Sequence, residues 1–412
     1  MRRISFLALV VLAGLLQAES APEKYLLEGK LAEGEKALLR QLENRPGDDE
    51  TRFGLAVIQF FQGFERLGHS LHKHGLKTSS IFAIPPALRP FVPENPNPEK
   101  MTLAKAREIL SAWVADLNRA GATLDGIKND QVKLPLHVGR ISVDVFGAGK
   151  PINAAILMGA LNPGDGAQKQ AEAFLIAFDR ADAYWLRGYL HFLAALGEFA
   201  LAVDSKELFE CVGHRFFAKL DSPHAFLQQE DNDIKGLNLD LNSFPMIIDA
   251  ITFVHLNLRW KVSEPERMKK VLENLQGMVA NAKKMWPAIL AETDDDHEWI
   301  PGPKQTGVIG VKVTKEMVES WLMTLEEVDL ILQGKAMLPF WRGKDREIGV
   351  NLRAAMMTPP GEVDVVRWIQ GTAATPFLQK GSVTKLANPA TLRRLDQVFG
   401  GLSFFGFAFW FN

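Results

Sequence analysis

The chain has 412 residues, with 47 Lys and Arg against 49 Asp and Glu, a net charge of -2 and 47% hydrophobic residues. This composition excludes a disordered chain, and its balance offers no general electrostatic pull on nucleic acid or an anionic membrane. Cys211 is the single cysteine, which excludes an internal disulfide framework and a cysteine-based zinc site.

Residues 1–20 read as an export signal. Arg2 and Arg3 form a basic start, an apolar run follows, and Ala18, Ser20 and Ala21 supply small residues for cleavage. The run is too short to span a bilayer, and no later stretch is long and apolar enough to do so. The mature chain is therefore expected to be exported, periplasmic or extracellular, with no transmembrane segment after signal removal.

Two helices are expected over residues 25–44 and 49–67, joined at Arg45-Pro46-Gly47. In the second, Phe53, Ala56, Phe60, Phe61, Phe64 and Leu67 recur at helical spacing. Gly29, Gly34, Leu38 and Pro46, followed by Leu55, Ala56 and Phe60, resemble a tetratricopeptide register, with small residues where paired helices touch. That resemblance implies a helical hairpin over 21–83 that presents a surface to a protein partner. No second full period follows. Away from the hairpin, the chain resembles exported bacterial proteins without an assigned role.

Six prolines between residues 84 and 100 forbid a helix and mark a linker. Residues 101–412 form the expected body, which is mainly helical. Thr102 caps a helix carrying Leu103, Ile109, Leu110, Trp113 and Leu117 on one face, with Gly121 as its stop. Alternation over residues 134–145 predicts a strand that pairs with residues 173–178. Asp179 and Asp182 then make a carboxylate capping box for a helix apolar almost all round. Its one polar stripe is Arg180, Arg187, His191 and Glu198, which lie within about 40° of one another. A shorter helix is expected from Asp204-Ser205 through Phe217, and longer ones over 243–258, 264–290 and 315–332. Ser263-Glu264-Pro265-Glu266 and Thr314 supply start signals, and Gly334 a stop. Phe404, Phe405, Phe407, Phe409, Trp410 and Phe411 form a terminal aromatic run expected to fold back into the core.

Several clusters have residue types that can carry chemistry. His191 beside Arg187 and Glu198 is the candidate catalytic set, since a buried imidazole so flanked can be held in one tautomer. The plainer reading is that these groups satisfy one another's buried polar needs. His69 and His72 share a helix face and can ligate a transition metal, or simply face water at a helix end. Asp294, Asp295, Asp296, His297 and Glu298 can bind a divalent cation or act as acid and base, or form a solvated loop. Asp144 with Gly149, and Asp231 and Asp233 with Gly236, resemble fragments of a calcium-binding EF-hand loop. Phe146, Ala148 and Lys235 stand where ligands belong, so calcium is the one cofactor considered and none is expected. Cys211 and His214 lie at helical spacing, which suits a nucleophile pair or a buried inert thiol.

The expected architecture is mainly α with minor β: a multi-helix bundle, a small two-stranded element and the N-terminal tetratricopeptide-like hairpin. The expected role is a non-catalytic binding or interaction protein. The alternatives are an exported hydrolase-like enzyme using the stripe or the 294–298 cluster, and a degenerate calcium module.

Overall fold

A computed structural model describes residues 20–77, 93–147, 149, 151–153, 155–156, 169, 172–228, 244–308, 310, 312–343, 347–400 and 403–410. Residues 1–19 of the expected export signal at 1–20, the linker prolines Pro85, Pro86 and Pro90, and Asp231 and Asp233 lie outside those residues.

The protein is mainly α-helical with small β elements. The first expected helix is broken in two, α1 (Ala21–Leu27) and α2 (Leu31–Asn44). Gly29 takes a left-handed φ of 65°, and the Lys30 N–H reaches back to the Tyr25 carbonyl at 3.0 Å while Gly29 N–H reaches Leu26. That pair of reversed bonds is a Schellman ending, which a glycine supplies without steric penalty. α3 (Asp49–Lys73) packs against α2 and runs six residues beyond the expected end. Gly34 makes their close approach possible, since a Cβ there would lie 2.7 Å from Tyr25 Cβ and 2.9 Å from Ile58 Cδ1. α4 (Leu103–Leu124) starts at the Thr102 cap but does not stop at Gly121. A Cβ on Gly121 would fall 2.2 Å from the Arg187 guanidinium, so that glycine serves packing rather than termination.

β1 (Leu134–His137) does not continue to Val145, because a 3-10 turn at Val138–Arg140 interrupts it. β2 (Ser142–Val143) instead pairs with β3 (Ile152–Asn153). β1 pairs antiparallel with β4 (Leu175–Phe178), the expected partner, with Leu134 facing Phe178 and His137 facing Leu175. Asp179 and Asp182 form the expected capping box at the start of α5 (Arg180–Ala202). α6 (Lys206–Val212) ends earlier than expected. Gly213 turns against Leu220 there, and the Phe216 carbonyl accepts the Lys77 N–H at 2.8 Å, tying the following segment to the end of α3.

α7 (Phe244–Asn257), α8 (Pro265–Ala291) and α9 (Lys315–Leu332) follow close to their expected bounds. β5 (Arg259–Lys261) pairs with β8 (Glu362–Asp364), and β6 (Leu338–Pro339), β7 (Ile348–Val350) and β9 (Leu378–Lys380) make a three-stranded sheet in that order. α10 (Leu352–Met357) and α11 (Val365–Gln370) flank these strands. α12 (Pro389–Phe399) and α13 (Ser403–Trp410) close the described chain.

Two cores meet at α5. On one side Leu186 and Leu190 pack with Leu26, Phe53, Ile58, Leu117 and Leu134 from the hairpin, α4 and β1. On the other, Ala181 and Ala195 pack with Trp286, Trp321, Leu325 and Phe399 from α8, α9 and α12. The small residues let α8 lie closely along α5. Of the terminal aromatic run, Phe404 and Phe407 enter this second core: Phe407 stacks on Trp286 at 5.9 Å, and Phe404 meets the edge of Trp321 at 5.8 Å.

Candidate functional site

The polar stripe on α5 is a seam of separate pairings. Arg180 donates to the Ile127 carbonyl (2.9 Å) and the Tyr184 hydroxyl (2.8 Å). Arg187 makes a two-pronged contact with Asp125 at 2.9 and 2.8 Å. His191 Nδ1 meets the Asn274 side-chain oxygen at 2.8 Å, and its ring lies so close to α8 that a Cβ on Gly277 would sit 2.6 Å from it. Burial pushes the His191 pKa down, which favours the neutral ring with Nδ1 as donor. Glu198 is buried and accepts from Arg267 at 2.7 Å, with Lys270 at 3.8 Å. The four residues share a face, yet the segment after α4 takes Arg180 and Arg187 while α8 takes His191 and Glu198. That is the pattern of a buried polar face satisfied residue by residue.

The acidic run divides in the same way. Asp294 pairs with Lys133, Asp295 accepts the Thr306 N–H at 2.7 Å, and Asp296 meets His297 at 3.0 Å. Glu298 alone turns inward. Its carboxylate lies with those of Asp179 and Glu292, one oxygen of each within 4.8 Å of the others. Asp179 caps α5 and Asp182 is fully enclosed beside it. Burial, together with the charge and hydrogen bond of Asp179, pushes the Glu292 pKa up to about 8, against the opposing effect of the Gln305 amide. Burial also raises Asp182 and Glu298. Such a group shares protons at neutral pH or offers oxygen ligands to a hard cation. Glu292 was missed in the sequence because α8 places it beside Asp179 from 113 positions away, as the two residue numbers show.

The remaining candidates are dispersed. His69 Nε2 meets the Asp144 carbonyl, whereas His72 faces the ring of Phe146 at 6.0 Å. Asp144 accepts the Gly149 N–H at 2.8 Å, a local turn contact. His214 Nε2 contacts Asp249 at 3.1 Å, and Arg215 donates to the same carboxylate. Cys211 is half-buried, and burial raises its thiol pKa above the ordinary range, which disfavours the thiolate.

Among the described residues, exposed large apolar side chains gather on α7, whose outer face sequence reading did not identify. Ile247, Ile251, Val254 and Leu258 are 50, 58, 56 and 38% exposed and follow one another at spacings of 4, 3 and 4. That is the a/d rhythm of a helix-packing seam. The inner face is fixed by Asp249, held by His214 and Arg215, so the apolar stripe is turned outward. Beside it, Leu103, Leu110, Phe209, Phe216, Phe217 and Phe253 line a groove of about 280 Å³. At the C-terminal end of α7 lies a cleft of about 370 Å³ with a mixed-charge lining that includes His255, Arg259, Lys261, Asp204, Glu207 and Glu362. The helix is apolar nearly all round, so periodicity alone could not tell its buried face from its exposed one.

Comparisons with family models, curated proteins and solved structures find no match to this chain.

Proposed function

We propose that this is an exported, non-catalytic binding protein that receives an amphipathic helix of a protein partner along α7. The observation that carries the reading is the exposed stripe Ile247, Ile251, Val254 and Leu258 with its 4-3-4 spacing. Four apolar knobs in that rhythm fit the holes of one facing helix. The mixed-charge cleft at the end of α7 supplies a polar rim, which suits a partner helix whose apolar stripe ends in charged residues. The apolar groove beside α7 reaches the end of α3 through the bridge between Leu76 and Phe217. It thus adjoins the hairpin whose tetratricopeptide resemblance first suggested a binding role. The export part of the reading rests on the basic and apolar residues 1–20.

The test is a fluorescein-labelled helical peptide of about four turns, with Leu at 4-3-4 spacing and charged residues elsewhere. Fluorescence anisotropy should show saturable binding to the mature protein. Ile251→Asp should weaken it by at least about tenfold, because the partner's apolar face would then meet an unpaired charge. Binding that ignores Ile251→Asp, or self-association that leaves no room for peptide, would overturn the reading.

A further inference from the structure

A second cavity lies at the start of α5, beside Asp182, Trp185 and Leu186, and no residue of α7 lines it. Residues of α3, β1, β4, α5 and the segment at Trp299 line about 180 Å³ of space. Phe53, Val57 and Ile176 are buried residues of its wall, while Phe178, Trp185 and Trp299 are half-buried ones. Trp299 meets the edge of Trp185 at 5.5 Å, and Trp185 is stacked on Tyr189 at 5.6 Å, so these rings are held in place from behind. Asp182 is the one ionisable residue in the wall. One of its carboxylate oxygens is turned to the Asp179 N–H at 3.1 Å, and the wall exposes carbon.

We propose that this cavity binds a small, uncharged apolar molecule of one or two rings. Size and wall chemistry select that class. An apolar cavity of about 150 Å³ stays dry and takes up benzene, because water needs two or more polar partners to enter. This one is slightly larger, and its wall exposes no polar atom to a charged guest. A void of that size also weakens a core as the loss of a large side chain does, and an occupant restores the missing contacts. Aromatic residues from three separate segments (α3, β4 with α5, and the 298–301 stretch) converge on the space. Their offset and edge contacts suit a flat ring. The site is independent of the α7 surface and stands whether or not that surface binds a helix.

Bromobenzene is a suitable probe, since its heavy atom quenches nearby indoles. Titrated into the mature protein, it should give saturable, partial quenching from Trp185 and Trp299, with a rise in Tm that grows with probe concentration. Val57→Phe fills the cavity and should weaken the saturable phase at least tenfold. Val138→Trp, at a half-buried position of the same wall, should do the same and guards against misfolding of the first variant. Ile251→Asp, on the distant helix, should leave the phase unchanged. Linear quenching without saturation would overturn the proposal. So would a saturable phase that survives both cavity variants, or one lost with Ile251→Asp.

Discussion

Glu292 shows how burial sets the charge of one residue and, through it, a pH dependence for the fold. Its pKa of about 8 in the folded protein lies above the ordinary carboxyl value of 4.5. The bound proton therefore favours the folded state, fully below about pH 4.5, and that contribution is lost as pH rises through about 8. Glu292→Gln keeps a donor toward Asp179 without the ionisation. It should stabilise the protein by about 1–2 kcal/mol at pH 8 after allowance for solvent screening, and by little at pH 5. Thermal melts of both proteins across that range check this. His191 makes a second prediction at this scale. Gly277→Ala would place a methyl against its ring and should cost about 1–3 kcal/mol, whereas the same change in a His191→Ala background should cost far less. A double-mutant cycle by urea unfolding measures the difference. The stripe of Arg180, Arg187, His191 and Glu198 was readable as one face of one helix. Its partners Asp125, Asn274 and Arg267 were not, because they come from other segments and no local pattern announces them.

Elements were more legible than contacts, for physical reasons that differ from helix to helix. The Asp179–Asp182 box, Thr102 and Thr314 fix helix starts by bonds within a single turn, and Pro265 does so by its fixed φ, so spacing alone reveals them. Alternation marked β1 as a strand, whereas its register against β4 comes from contacts that no single segment announces. The break at residues 138–140 left only a trace, an odd step of three from Val138 to Ile141 between two runs that each alternate. Gly29 and Gly121 exchange the roles expected of them: the first ends a helix by its left-handed conformation, and the second lies inside one beneath an arginine. α7 is the element whose sequence hid most. Ile251 is exposed, so Ile251→Asp should change the unfolding free energy by less than about 1 kcal/mol, the scale of a helix-propensity change. Chemical denaturation of the variant would show whether Ile251 is a surface group, as its exposure implies, or a core residue with a larger loss.

At the scale of the whole molecule, α5 is a wall common to two cores. Leu186 and Leu190 belong to the first core, and Ala181 and Ala195 to the second. The all-round apolar character of residues 185–201 signalled burial on several sides, and the structure accounts for it by this double packing. Neither core can lose α5 and keep its wall, so the two should melt together. Circular dichroism and tryptophan fluorescence are expected to report one coincident thermal transition, with Trp113 packed against the first core and Trp286 and Trp321 within the second. Two separated transitions would mean that α5 couples them weakly. The functional reading places the working surface outside both cores, on α7. Amide hydrogen exchange of the protein, with and without saturating amphipathic peptide, tests that placement most directly. The account predicts new protection concentrated at residues 247–261, with the rest of the chain unchanged. Protection confined to the hairpin at residues 21–73, or none anywhere, would contradict it.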